Sequence, residues 1–93
     1  MIVSFKDKVT AAIFEGRYVR RIHRDVQRRA LAKLLQIDVA ERLDDLAANL
    51  GNNLEKLRGD RAGQHSIRVN EQWRICFMWR RGDAHEVEFT DYH

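Results

Sequence analysis

The apolar residues of this chain change their spacing once, at Asn53, and that change dictates helices first and strands second. Before it, Val26, Ala30, Leu31, Leu34 and Leu35 recur at the 3.6-residue period of an amphipathic helix. After it, Trp73, Ile75, Phe77 and Trp79 alternate with Arg74, Cys76 and Met78, as in a strand with two unlike faces. Helices followed by an antiparallel sheet is an α+β layout. At 93 residues the chain is one domain, residues 1–93, with one core and no room for a separate cofactor domain.

Within that frame, residues 1–4 read as a short strand. Ser4 with Asp7 resembles a capping box that opens a helix over residues 5–15, burying Val9, Ala12 and Ile13 and stopping at Gly16. The long helix starts near Asp25. Asp38 with Glu41 repeats the capping pattern and starts a third helix, with Leu43, Leu46, Ala47 and Leu50 inward. Strands are expected at 54–58, 64–69, 73–79 and 86–92. A two-residue loop between the second and third would mix apolar and polar faces. The odd loop Asn70-Glu71-Gln72 sets Ile67 against Ile75 and Arg68 against Arg74. It places Ser66, Arg68 and Arg74 on the face away from the core, with Thr90 and Tyr92 joining them. Such a face suits single-stranded RNA, with arginine on phosphate and tyrosine stacked on a base. An ordinary polar sheet face accounts for the same pattern.

Charge is uneven. Residues 1–50 hold 10 basic and 7 acidic groups, and residues 51–93 hold 7 of each. Arg17, Arg20, Arg21, Arg24, Arg28 and Arg29 face only Asp25 within their stretch, which fits a polyanion, an acidic protein surface, or a solvated helix face. All but four of the 17 basic residues are arginine, suited to bidentate contact with phosphate or carboxylate. The single cysteine, Cys76, excludes an internal disulfide, and four scattered histidines argue against a zinc cage. Apolar runs are too short for a membrane span or a signal peptide.

Several segments together resemble the HigB-type host-inhibition toxins of bacterial type II toxin–antitoxin modules, within the RelE/ParE superfamily. They are the opening Met1-Ile2-Val3-Ser4-Phe5-Lys6, then Ile13-Phe14-Glu15-Gly16, and Leu54-Glu55-Lys56-Leu57-Arg58-Gly59-Asp60-Arg61-Ala62-Gly63. Ser66-Ile67-Arg68-Val69-Asn70, Gln72-Trp73-Arg74-Ile75-Cys76-Phe77 and the terminal Asp91-Tyr92-His93 complete the set. The resemblance spans nearly the whole chain. It implies a RelE-like fold, N-terminal helices on a twisted, mainly antiparallel sheet. It also implies a cytoplasmic endoribonuclease without cofactor or metal that cuts messenger RNA in the A site of the 70S ribosome. Its partner would be a HigA-type helix-turn-helix antitoxin, through which alone it meets operator DNA.

Metal-free RNA cleavage needs a base for the 2′-OH, an acid for the leaving 5′-oxygen and cations for the phosphate. By intrinsic pKa His93 is the acid/base candidate, with Asp91 a second base or its orienter, and Tyr92 would stack on the nucleotide. Arg74 would carry the phosphate charge, aided by Arg58, Arg68 and Lys56. Some relatives have a histidine where this chain has Glu55, which suits a base better than an acid. Arg17, Arg20, Arg21, Arg24 and Arg28 would meet ribosome or antitoxin. The competing functions are a non-cleaving inhibitor such as a ParE-like gyrase poison, and a weakly active toxin serving mainly operon autoregulation.

Overall fold

Asp7 turns the extended N-terminal segment into the first helix, α1 (Lys8–Phe14). In the computed structural model, which describes residues 1–91, its carboxylate accepts from the Thr10 backbone N–H at 2.7 Å and from the Thr10 hydroxyl at 2.8 Å. The fully buried Thr10 hydroxyl in turn accepts the N–H of Phe89 at 2.9 Å. Asp7 thus caps the helix, and the Thr10 hydroxyl it holds ties the helix to the sheet. Ser4, expected to cap, instead accepts the Glu86 N–H at 2.9 Å. Asp7→Ala is expected to cost about 1–2 kcal/mol in urea unfolding, the usual scale for a lost N-cap. Gly16, at φ 80°, ends α1 with paired bonds from Gly16 N to Ile13 O and Arg17 N to Ala12 O.

The second helix, α2 (Arg24–Val39), buries Ala30, Leu34 and Ile37. Gln27 is buried beside them and holds the preceding loop, accepting from Val19 N and donating to the carbonyls of Val19 and Ile22. The third helix, α3 (Leu43–Ala47), is capped from Arg42 rather than Asp38. Asp45 accepts the N–H groups of Glu41 and Arg42, and those bonds hold its carboxyl below the usual range. Asp38 binds the N–H of Ile2 instead. Because α3 stops at Ala47, Leu50 swings out and is 90% exposed, contrary to expectation. Ala47 is exposed as well. The fully buried Asn52 takes the inner position, bonded to Leu46 O, Gln36 and Lys33.

Four strands follow: β1 (Glu55–Lys56), β2 (Gln64–Arg68), β3 (Arg74–Arg80) and β4 (Asp83–Thr90). They form one antiparallel sheet in sequence order. The β2–β3 register sets Ile67 opposite Ile75 and Arg68 opposite Arg74, the odd-loop pairing. Residues 1–4 are not a strand. They make isolated parallel bridges, Ile2 to Ala84, with Phe5 to Val87 just beyond, along the outer edge of β4. A bulge shifts the β3–β4 register between Cys76 and Met78, with Glu86 at φ 51°. It puts Ala84 and Val87, three apart, both in the core, so plain alternation misplaces the start of this strand. Ile67, Ile75, Phe77 and Val87 meet Leu34, Ile37 and Leu46 in the centre. Trp73 and Trp79 flank that centre, partly buried. Among the described residues no helix is long and apolar enough to cross a membrane.

His65 is half-buried against Phe77, with ring centroids 6.4 Å apart. Its Nδ1 is buried without a partner among the described residues. Burial, then the charge of Lys56, lowers its pKa. The unfolded chain therefore binds the proton more readily, and this part of the stability is lost as pH falls below about 6.5. Thermal unfolding followed from pH about 7 to about 5 should show a smaller acid loss for His65→Phe than for the natural chain.

Candidate active site

Arg74 opens β3 on the face of the sheet away from the core. The register places Ser66 diagonally across from it on β2. Arg74 Nε donates to Ser66 Oγ at 2.8 Å, and Nη2 donates to the Asn53 carbonyl at 2.7 Å. Asn53 presents that carbonyl because the 3-10 turn Leu50–Asn52 ends there, with Asn53 in the left-handed region at φ 45°. These bonds, with a longer one from Nη2 to the Ser66 carbonyl at 3.4 Å, fix the orientation of the planar guanidinium. Its remaining edge carries no hydrogen bond to a described residue and faces a groove.

Glu55, opposite Ser66 on β1, lines the same groove, as do Arg68 and the β2–β3 loop. The loop is rigid by its own bonds. Asn70 Oδ1 accepts the N–H groups of Gln72 and Trp73, and Arg68 Nε donates to Asn70 O at 3.1 Å. Gln72 Nε2 then donates to Asp91 Oδ2 at 3.1 Å. The groove measures about 320 Å³, at the small end of ligand pockets. The pairing of Arg74 with Thr90 brings the last described residues to this same end of β3.

The middle of this face is closed rather than open. Arg61 donates to Glu88 at 2.9 Å and to Gln64 at 3.2 Å, and Lys6 lies 3.7 Å from Glu88. Ser66 and Cys76 are fully buried there, although parity alone puts them on the exposed side. Burial, above all, pushes the Cys76 thiol up to about 11, so it stays protonated at neutral pH.

Of the residues expected from sequence, the structure gathers Arg74, Glu55 and Arg68, with Asp91 tied to them through Gln72. Lys56 pairs with His65, on the opposite face from Glu55. Arg58 is exposed at the start of the 3-10 turn Gly59–Arg61 and does not line the groove. Tyr92 and His93 lie outside the described residues. The basic stretch is divided. Arg17, Arg24 and Arg28 rim a groove of about 250 Å³ over Ile13 and Leu31, with the Arg24 guanidinium 5.9 Å above the Tyr18 ring. Arg17 pairs with Glu15 at 3.1 Å and Arg28 with Asp25 at 3.8 Å, so Asp25 is not its sole counter-charge. Arg21 lines another groove of about 370 Å³, beside the stacked pair Trp73 and Phe89. Arg20 is exposed in the α1–α2 connection.

Over residues 3–93 the chain matches the HigB-like toxin family, described as the RelE-like toxin of type II toxin-antitoxin system HigB. The chain belongs to this family. Its relatives include Endoribonuclease HigB of Proteus vulgaris, 36% identical over 93 residues that cover all of both chains. Toxin HigB-1 of Vibrio cholerae serotype O1 is 36% identical over 85 residues, 90% of each chain. A chain of the YoeB-YefM complex from Staphylococcus aureus is similar in fold, with a TM-score of 0.64 at 16% identity, covering 100% of this chain and 98% of that one.

In this HigB-like toxin, sequence reasoning missed the supports of Arg74. Ser66 was placed on the correct face, but its bond to Arg74 needs the hairpin register. Asn53 marks only the change of period in the sequence, since its carbonyl meets Arg74 from 21 positions away. Gln72 is read from the sequence only as part of the odd loop, because its contact with Asp91 spans 19 positions.

Proposed function

We propose that this toxin is a ribosome-dependent endoribonuclease that cuts messenger RNA in the ribosomal A site and is neutralised by a HigA-type antitoxin. The observation that carries the reading is the fixed Arg74 guanidinium, held by Ser66 and Asn53 at a groove shared with Glu55. The name of the Proteus vulgaris relative supports it.

The chemistry follows from charge. Attack of the 2′-OH on the adjacent phosphate gathers negative charge on the non-bridging oxygens. A guanidinium already oriented stabilises that charge with little reorganisation. Glu55 or Asp91 takes the 2′-OH proton, and His93, two positions beyond Asp91 in the chain, returns one to the 5′-oxygen. Tyr92 stacks on the nucleotide. Arg68 holds a flanking phosphate, while Arg58 and Lys56 add long-range attraction. The groove rimmed by Arg17, Arg24 and Arg28 takes the ribosome or the antitoxin's acidic surface, and Arg20 and Arg21, outside that groove, add to the same attraction. The site of action is the bacterial cytoplasm.

The test is genome-wide mapping of messenger RNA 5′ ends after brief induction, natural toxin beside Arg74→Ala. New ends inside translated codons, absent with the variant, are the expected result. Growth arrest without new ends would instead point to a non-cleaving inhibitor such as a gyrase poison.

A further inference from the structure

The groove at Arg74 does not end at the β2–β3 loop. A second open groove, of about 550 Å³, lies over the far side of that loop. The two share Arg68, Asn70, Glu71 and Gln72, and the second adds Arg29 from α2. Arg29 is exposed and makes no ion pair among the described residues. One helical turn on, Lys33 is held by Asn52 Oδ1 at 2.6 Å. Burial first, and then the charge of Arg29, lowers the Lys33 pKa, so Arg29 acts beside a second cation of the same helix. Arg74 lines the first groove, Arg29 the second and Arg68 both, so the two grooves adjoin at the loop and together offer one channel past it.

We infer that this channel is a track for single-stranded RNA, in which Arg29 and Arg68 hold a backbone phosphate beyond the nucleotide at Arg74. A groove that carries positive charge along its length is what an extended polyanion requires. The described residues that line the extension offer guanidinium, amide and carboxylate groups and no aromatic ring, so their contact is with phosphate rather than base. Glu71 is the one acid among the described residues of the extension and opposes the strand. The track rests on the proposed RNA substrate, but it concerns binding and not cleavage.

The test measures fluorescence anisotropy of 2′-O-methyl RNA, which cannot be cleaved, on the full-length protein. A labelled dinucleotide fills only the Arg74 groove, and a labelled hexanucleotide reaches Arg29. The hexanucleotide is expected to bind more tightly. Arg29→Ala should weaken it about 5-fold, lower its salt slope by about 0.7 and leave the dinucleotide unchanged. Arg29→Lys should keep the salt slope, and Glu71→Gln should tighten the hexanucleotide. Circular dichroism and the melting temperature of each exposed-site variant confirm folding. A hexanucleotide that binds no tighter than the dinucleotide overturns the track, as does an Arg29→Ala effect equal on both. If Arg29→Ala weakens antitoxin binding and spares the hexanucleotide, the surface is a protein contact and the track is overturned. Loss of hexanucleotide binding in Arg29→Ala, in a toxin that produces no new messenger ends, leaves the track standing and removes only the nuclease reading.

Discussion

Arg74→Ala is expected to lower messenger RNA cleavage by about 10²- to 10³-fold, the usual effect of removing one preorganised donor to a developing charge. The fold should survive. Arg74 is half-buried, and its removal takes one hydrogen bond from the buried Ser66 hydroxyl and one from the Asn53 carbonyl. That costs on the order of 1–3 kcal/mol, within reach of a domain stabilised by about 5–14 kcal/mol. Cleavage by purified toxin on programmed ribosomes, with urea unfolding in parallel, separates the two effects. Arg74→Lys is informative because it keeps the charge. A lysine ammonium cannot hold Ser66 and Asn53 in a plane while facing the groove. It should recover only part of the rate, and full recovery would show that orientation is unimportant. Unchanged cleavage in a folded Arg74→Ala variant would remove Arg74 from the chemistry.

Phe77→Ala carries the largest expected loss of stability, about 3–5 kcal/mol. Phe77 has no exposed surface and lies at the centre of β3, between the half-buried His65 ring and Trp79. Its backbone is paired with His65 on the β2 side, while the bulge lies on its β4 side. Truncation leaves a cavity where the sheet meets Leu34 and Ile37 of α2. Denaturant unfolding should show a lower midpoint with the slope retained. Growth arrest should weaken in proportion to the unfolded fraction, unlike the Arg74 variant, which loses activity while folded. A loss below 1 kcal/mol would mean that the core closes around the gap.

The α+β order was legible in the sequence because hydrophobic period is a local property. The 3.6 spacing of Ala30 and Leu34 and the alternation of Ile75 and Phe77 each follow from which face is buried. The odd β2–β3 loop was legible for the same reason, since only that register keeps both apolar faces on one side. Segment resemblance named the family, and Arg74 with Glu55 came from that resemblance. What failed in the sequence reading was competition among polar partners. Ser4 and Asp38 carry capping side chains, yet each is taken by a distant N–H, of Glu86 and of Ile2. Leu50 obeyed helical spacing but lost its helix at Ala47, and Asn52 filled the space.

The sequence by itself determined the class of fold and the faces of the central hairpin, because these depend on spacing and intrinsic chemistry. Only the tertiary structure decided which residues meet. Asn53 and Ser66 approach Arg74 through the end of a 3-10 turn and a strand register, and Gln72 reaches Asp91 across 19 positions. Only folding showed that Ser66 and Cys76 are buried on the face opposite the core, beside the cluster of Arg61, Glu88 and Lys6. Such contacts between residues far apart in the chain depend on chain geometry and burial, which no local pattern of residues specifies.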